Sequence, residues 1–216
     1  MSAVENDRSD RQADARPLGR PPKQHDQRER ILRAAAKAIA TVGYEQCSLG
    51  DIAEELDLTR PALYHYFRTK QQIFTEIALT AVAGIYEPVR GAIYEDAGAA
   101  SQLRELMIAH AAYFEQNYWL VNATIAGYGG ITRRELERID EIELFRDRYG
   151  QLVHGVLVGG IKAGEFKPVD VKATTRSIFQ LLNITRWYRP GGEQKARDIA
   201  SNNFDLIFGG LAALAG

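Results

Sequence analysis

Residues 59–70 read TRPALYHYFRTK and place four ring-bearing side chains, Tyr64 to Phe67, at consecutive positions. A helix turns by about 100° per residue, so four consecutive rings cannot all face one core. Some of them must face outward, close to Arg60 and Lys70 in the same segment. Exposed phenol, imidazole, guanidinium and ammonium groups donate hydrogen bonds to phosphates and base edges. The segment is therefore predicted to recognise a polyanion; the alternative is that the rings only fill a helical core.

Three short helices are expected to position this segment. The first covers about residues 26–42 and has an apolar stripe at 3.6-residue spacing. The second starts at Ser48, an N-cap residue supported by Asp51 three positions later. The third is capped by Thr59 and tolerates Pro61 in its first turn. Because only a tight turn separates the second helix from the third, the pattern predicts a helix-turn-helix.

In such a motif the second of the two paired helices lies in the major groove of DNA. Leu63 and Phe67 are four residues apart and are expected to face inward. Arg60 can then form a bidentate contact with guanine, and Pro61 or Ala62 can meet a thymine methyl group. The expected phosphate contacts come from five further side chains, Ser48, Tyr64, His65, Tyr66 and Lys70.

The segment from Arg28 to Phe74, RERILRAAAKAIATVGYEQCSLGDIAEELDLTRPALYHYFRTKQQIF, resembles the DNA-binding domain of the TetR family of transcriptional regulators. The resemblance implies DNA contacts at Ser48, Thr59, Arg60, Pro61, Ala62, Tyr64, His65, Tyr66 and Lys70. Ser48 stands where the family more often has Thr, and Tyr66 stands where His is common. The resemblance also implies a homodimer whose helical body binds a ligand.

The charge distribution and the N-terminus are consistent with a DNA contact near the start of the chain. The net charge is −1, but residues 16–70 hold 10 basic and 7 acidic residues, whereas residues 71–216 hold 15 and 17. Residues 1–24 lack apolar periodicity and are expected to be disordered. Arg20 and Lys23 make this segment either a basic arm along DNA or an inert tail.

The predicted fold is all-α, with a helix-turn-helix domain at 25–70 and a helical effector-binding and dimerisation domain at 71–216. A long helix starts after the Thr69 N-cap, and Gly84 and Pro88 are expected to weaken or kink its far end. A second capping box is expected at Thr132 and Glu135. The remaining helices are predicted at about 101–117, 119–127, 133–163, 170–188 and 194–212.

The last two predicted helices each have an apolar stripe that suits a four-helix bundle between two subunits. A dimer is expected because one short reading helix buries too little surface for selective binding. The predicted interface residues are Ile178, Leu181, Leu182, Phe204, Ile207, Phe208 and Leu211. The alternative is that this stripe faces only the core of its own chain.

Apolar and aromatic residues of the body, together with two arginines, form the candidate effector site. The predicted ligand-binding residues are Met107, His110, Phe114, Trp119, Tyr128, Tyr149, Val153, Arg186 and Arg189. The segment TRWYRPGG, residues 185–192, together with NNFDLIFGGL, residues 202–211, resembles the body of TetR members that sense acyl-CoA thioesters, which implies an acyl-CoA or lipid-like acid. The alternatives are core positions for the apolar residues and a capped helix end for the arginines.

Several classes of function are disfavoured by what the sequence contains. Cys47 is the only cysteine, so neither an intramolecular disulfide nor a cysteine-based zinc site can form. No metal, cofactor or membrane span is expected, and the reducing cytoplasm is the expected location. GYGG at 127–130 lacks the Lys-Ser/Thr of a phosphate-binding loop. A ligand-responsive repressor that binds a near-palindromic operator is predicted; a constitutive DNA-binding protein or an all-α enzyme is the alternative.

Overall fold

The computed structural model describes residues 24–94, 96–132, 134–183 and 188–211, and these residues form nine α-helices. The predicted all-α class is confirmed. None of the helices in those ranges is both long and apolar enough to cross a membrane. The helices are α1 (Gln24–Val42), α2 (Leu49–Glu55), α3 (Arg60–Tyr66), α4 (Lys70–Gly91), α5 (Ala99–Gln116), α6 (Tyr118–Gly127), α7 (Ile139–Lys162), α8 (Val171–Leu182) and α9 (Ala196–Leu211).

Three of the predicted helix starts have the expected side-chain caps. The Ser48 hydroxyl accepts from the Asp51 N–H at 3.2 Å, while the Asp51 carboxylate accepts from the Ser48 N–H at 3.0 Å. The Thr59 hydroxyl accepts from an N–H in the first turn of α3 at 3.3 Å, and that of Thr69 accepts from an N–H of α4 at 3.1 Å. These bonds satisfy N–H groups that have no partner within the helix, so they fix where α2, α3 and α4 begin.

The first core lies between α1, α2, α3, the beginning of α4 and α6. Its fully buried side chains include Ile31, Ile39, Leu63 and Phe74, and residues of the body such as Ala123 contribute to it. The three N-terminal helices therefore do not pack by themselves but share their core with the body.

The GYGG segment at 127–130 is part of this contact between the N-terminal helices and the body. A Cβ at Gly127 would lie 2.0 Å from the Phe74 ring, and one at Gly130 would lie 3.2–3.4 Å from side-chain atoms of Tyr44 and Glu45. Gly127 is thus required for the close approach of α6 to α4.

The second core fills the space between the end of α4 and α5, α7, α8 and α9. Its interior includes the completely buried side chains of Leu103, Val153 and Ile178. The N-terminus of α5 has no side-chain cap of its own. Instead, the Glu165 carboxylate, far along the chain, accepts from the N–H groups of Ala99 and Ala100 at 2.9 and 3.1 Å.

The predicted helix at 133–163 begins later than expected. The Thr132 N–H and hydroxyl both donate to the Glu135 carboxylate, at 2.8 and 2.7 Å, and the Glu135 N–H donates to the Thr132 carbonyl. This arrangement closes a turn rather than starting a helix, so the predicted second capping box is wrong. The helix starts at Ile139, after Arg138 in the left-handed conformation with φ 53°.

One further prediction about a helix end also needs correction. The helix predicted at 170–188 ends at Leu182, where the Asn183 N–H donates to the carbonyls of Phe179 and Gln180. The long helix α4 continues through Gly84 and Pro88 to Gly91. Pro88 has no N–H to donate to the carbonyl of Gly84, so this turn of α4 lacks one backbone hydrogen bond.

Candidate nucleic-acid interface

The starts of α2, α3 and α4 line one open groove with a volume of about 390 Å³. It contains Ser48, Arg60, Tyr64 and Lys70, four of the residues predicted to contact DNA. The remaining lining residues are Glu45, Cys47, Leu49, Gly50 and Leu63. The tertiary structure therefore brings together polar side chains that are up to 22 positions apart in the sequence.

The third helix has the predicted buried and exposed faces. Leu63 is 0% and Phe67 2% exposed, whereas Tyr64 is 49% exposed and His65 is also exposed. Tyr66 is only partly exposed, because its ring packs against the first core and meets the His65 ring edge to face at 5.4 Å. Tyr64 and His65 are therefore free to meet a partner, whereas Tyr66 is also part of the packing of α3.

Arg60 is exposed at the first position of α3 and, within the described part of the chain, its guanidinium has neither a hydrogen bond nor an ion pair. Its donors are therefore available to a ligand. Pro61 is exposed beside it and Ala62 is partly exposed. The hydroxyl groups of Ser48 and Thr59 accept hydrogen bonds as caps, and the Ser48 hydroxyl also bonds to the Asp51 carboxylate, whereas the Thr59 O–H is left to donate.

Lys70 is positioned differently from the prediction that it contacts a phosphate. Its ammonium group donates to the carbonyls of Tyr44, Glu45 and Cys47 at 2.7, 3.2 and 2.9 Å. It also lies 4.4 Å from the centroid of the Tyr44 ring. Because an ammonium group has three N–H donors, all of them are used within the protein. In this structure Lys70 holds the turn between α1 and α2 against the start of α4.

Other predicted contacts fall on parts of the chain that the structure does not describe. Arg20 and Lys23 of the predicted basic arm lie outside the described residues, as does Arg186 of the predicted effector site. The roles assigned to them stay predictions.

The residues predicted to bind an effector do not form one group. Met107, Phe114 and Val153 are at most 1% exposed and belong to the second core. Tyr128 lies in the other core, where its ring meets Phe74 edge to face at 6.0 Å. Trp119 is 45% exposed on the surface of α6.

His110 and Tyr149 are the predicted effector-site residues that the structure does bring together. The His110 Nδ1 and the Tyr149 hydroxyl are 2.7 Å apart, and their rings are stacked at 5.7 Å. Burial lowers the pKa of His110 to about 4 and raises the pKa of Tyr149. The imidazole is therefore neutral at pH 7, and the two groups form a polar pair inside an apolar region.

Tyr188 and Glu115 form a second polar pair that sequence reasoning did not identify. The Tyr188 hydroxyl donates to the Glu115 carboxylate, and burial together with this carboxylate raises the pKa of Tyr188 to about 12. The Tyr118 hydroxyl donates to the Tyr188 carbonyl at 3.3 Å, and Arg189 donates to the same carbonyl at 2.7 Å. The available signal was the pair of aromatic residues in TRWYRPGG, of which Tyr188 returns to the core.

Most residues of the predicted dimer interface are buried within their own chain. Ile178, Leu182, Phe204 and Leu211 are at most 5% exposed and belong to the second core, because the stripe they form also faces α5 and α7. Ile207 and Phe208 are partly buried beside them. The exposed apolar residues on these helices are Leu181, at 39%, and Leu206, at 67%. Leu206 was missed because it lies off the stripe.

Comparison with known proteins identifies a matching family for the N-terminal helices and another for the body of the chain. Residues 31–77 match the family described as bacterial regulatory proteins, tetR family. Residues 96–211 match the family described as Tetracyclin repressor-like, C-terminal domain.

Individual proteins of this kind align over nearly their whole length. The TetR family transcriptional regulator PfmR from Thermus thermophilus is 34% identical with a TM-score of 0.76, covering 87% of this chain and 100% of PfmR. The repressor KstR2 of Mycobacterium tuberculosis, described as a ketosteroid transcriptional regulator, is 25% identical over 87% of this chain and 94% of KstR2, and its structure gives a TM-score of 0.77.

A structure of AibR with isovaleryl coenzyme A and operator DNA is 22% identical with a TM-score of 0.73, covering 84% of this chain and 97% of AibR. At this identity the similarity shows a common fold. The two family matches make the chain a DNA-binding regulator rather than an enzyme. The chain belongs to the TetR family of DNA-binding transcriptional regulators and repressors.

Proposed function

We propose that this protein is a ligand-responsive repressor in the cytoplasm that binds a near-palindromic operator as a homodimer. A small, largely apolar effector, with an acyl-CoA or another lipid-like acid as the best candidate, releases it from DNA. The observation that supports DNA recognition most strongly is the exposed Arg60 guanidinium, which has no partner within the described residues and lies in a groove with Tyr64 and the hydroxyl of Ser48.

Base recognition is assigned to the first turn of α3. Arg60 can form two parallel hydrogen bonds with guanine, and the exposed ring of Pro61 suits a thymine methyl group. Tyr64, His65 and the hydroxyls of Ser48 and Thr59 surround this position and are suited to phosphate contacts. The basic arm with Arg20 and Lys23 is proposed to add sequence-independent affinity.

A dimer is proposed because one α3 helix presents too few side chains to define a site. Leu181 and Leu206 are exposed on α8 and α9, and Ile207 and Phe208, which follow Leu206 in the chain, are partly buried against the second core. Apolar residues in this arrangement suit a self-complementary bundle of α8 and α9 from two subunits.

The effector is proposed to bind between α5, α7 and α8, next to His110 and Tyr149. These two groups are hydrogen-bond partners in an apolar region. The polar end of a ligand with an apolar body can replace one of them as the hydrogen-bond partner of the other. Arg189, and Arg186 in the same segment, are the candidates for a charged group of the ligand. Isovaleryl coenzyme A in AibR and the ketosteroid assignment of KstR2 support this class of effector.

Transmission to DNA is proposed to run through α4, which contacts both cores. A Cβ at Gly84 would lie 2.4 Å from the Tyr113 hydroxyl of α5, and that hydroxyl donates to the Thr80 carbonyl at 3.1 Å. This contact lies in the turn of α4 that Pro88 deprives of a backbone hydrogen bond. A ligand that shifts α5 can therefore tilt α4. This requires that the ligand binds more tightly to the protein with α4 tilted than to the protein with α4 in its original position.

The test starts from a randomised DNA duplex library, from which the full chain is used to select binding sites. A near-palindromic consensus bound by two copies of the chain is expected. Binding to this consensus is then measured by fluorescence anisotropy with acyl-CoA thioesters of increasing chain length, with coenzyme A and free fatty acids as controls. Release by a subset of the thioesters supports the proposal; sequence-specific binding that no apolar acid changes would favour a constitutive DNA-binding protein.

A further inference from the structure

Gly50 occupies the second position of α2, between Leu49 and the capping residue Asp51. Its backbone does not need a glycine, because Gly50 is not among the residues with positive φ. Alanine is the better helix former, so glycine at this place reduces the stability of a helix that has only seven residues. The reason for a glycine must therefore be the space around it.

That space is occupied by the predicted base-reading residue. A Cβ built on Gly50 would lie 2.9 Å from Nη2 of Arg60, and 3.4 Å from both its Cζ and its Nε. The three nearest heavy atoms thus all belong to one guanidinium group, which lies directly against the backbone of α2. A methyl group here would overlap Nη2, and the flexible end of the arginine would move rather than the helix.

The charges of α2 also favour this position of Arg60. The Asp51 carboxylate is hydrogen-bonded to Ser48, and attraction to Arg60 adds to the effect of these bonds in lowering the pKa of Asp51. Arg60 nevertheless forms no hydrogen bond or ion pair within the described ranges, so its donors are not consumed. The guanidinium thus lies against the backbone of α2 and is attracted by the Asp51 carboxylate, and its donors remain available to a ligand.

We propose that Gly50 is a specificity-determining residue that acts by positioning Arg60 for base recognition. This inference rests on the proposed contact of Arg60 with DNA. Without a side chain at position 50 the guanidinium lies against the backbone of α2 before DNA arrives, so less side-chain freedom is lost on binding. Any larger residue at position 50 displaces the guanidinium from the position in which it would contact a base edge.

The experiment is a double-mutant cycle of Gly50→Ala and Arg60→Ala in the full chain, with base preferences measured by selection from a randomised duplex library. Arg60→Ala is expected to lower discrimination at one base pair per half-site by roughly 5- to 150-fold, the range for one bidentate arginine–guanine pair. Gly50→Ala should lower discrimination at the same base pair by about 2- to 12-fold, the cost of ordering one long side chain. In the Arg60→Ala background, Gly50→Ala should have no further effect.

Gly155→Ala is the matched control, because Gly155 lies in α7 and a Cβ there would meet nothing within 4 Å. It should leave base preference unchanged, and neither glycine variant should lower the melting temperature. If Gly50→Ala keeps full discrimination, or if its effect adds to that of Arg60→Ala, the inference is wrong while the proposed function stands. If Arg60→Ala itself leaves every base preference unchanged, the proposed role of Arg60 is wrong.

A second measurement tests the position of Arg60 without DNA. The Nε–H resonance of Arg60, assigned with an Arg60→Lys variant, should report a more mobile side chain in Gly50→Ala than in the natural chain or in Gly155→Ala. Equal mobility in all three proteins would contradict the inference whatever the DNA experiment shows.

Discussion

The groove of α2 and α3 and the interior of α5, α7 and α8 contain similar polar groups but use them in opposite ways. In the groove, Arg60 and Tyr64 are exposed, and Arg60 has no partner in the described part of the chain. In the body, His110 pairs with Tyr149 and Tyr188 pairs with Glu115. A surface that must bind a polyanion keeps its donors available, whereas most polar groups in a buried region are paired within the protein.

The difference means that the groove indicates the chemistry of its partner more directly than the body does. An unpaired cation beside exposed rings implies the chemistry of its partner. The partly buried imidazole–phenol pair already satisfies both of its groups, so a ligand has to replace one member in order to bind there. Lys70 shares a property with each region. It lies in the groove, but its N–H donors are occupied within the protein, like those of a buried group.

The strongest test of this distinction is Lys70→Met, for which the largest loss of stability is expected. Removal of the ammonium leaves two partly buried carbonyls without a donor, which should cost about 2–4 kcal/mol of unfolding free energy. Urea unfolding followed by circular dichroism measures this loss, and Lys37→Met, which removes only the exposed ion pair to Glu55, is the matched control.

The salt dependence of DNA binding then separates the two roles of Lys70. If the ammonium only holds the turn, affinity falls but the slope of log K against log salt is unchanged. A phosphate contact would reduce that slope by about 1 for each subunit. Such a reduction with unchanged stability would restore the role predicted from the sequence.

The pH dependence of stability examines the buried pair of the body. The folded-state pKa of His110 is about 4, below its ordinary value of 6.5. Between these values the unfolded chain binds a proton at His110 that the folded chain does not, so the contribution of His110 to stability should fall as pH drops from 6.5 to 4 and stay constant below that. The expected loss is about 1–3 kcal/mol. His110→Gln should flatten this part of the urea-midpoint profile, and an unchanged profile would show that His110 is solvated.

The contact between α4 and α5 gives a smaller effect. Gly84→Ala places a methyl group against the Tyr113 hydroxyl and should cost about 1–2 kcal/mol. Tyr113→Phe removes this oxygen and should partly restore stability in the double variant, which thermal unfolding would reveal. If the contact also transmits the effector signal, each variant should change effector-induced release more than DNA affinity. Equal changes in effector-induced release and in DNA affinity would show that the contact has a packing role only.

The smallest effect on stability is expected for Tyr64→Ala in the groove. Tyr64 is 49% exposed, so its removal should change the unfolding free energy by less than about 0.5 kcal/mol. Operator affinity should nevertheless fall about tenfold, as for the loss of a phosphate contact. A Tyr64→Ala variant with normal operator affinity and reduced stability would show that Tyr64 is a packing residue, as the paired groups of the body are.

The sequence was sufficient for the features that depend on near neighbours in the chain. The caps at Ser48, Thr59 and Thr69 and the buried side of α3 follow from spacings of three and four residues. The same local reasoning failed at Thr132 and Glu135, where a similar pair of residue types closes a turn. Local residue preferences could not show that α7 begins only after Arg138, which is in the left-handed conformation.

The amino-acid sequence thus determined the all-α class, the helix-turn-helix and most of its exposed side chains, because these depend on helical period and on local hydrogen bonds. Only the tertiary structure decided which of those groups remain available: Lys70 is bound by a turn more than 20 residues earlier, whereas Arg60 lies free on Gly50. It also decided that most of the apolar stripe of α8 and α9 is buried in its own chain. Such outcomes depend on distances between segments, which no spacing along the chain contains.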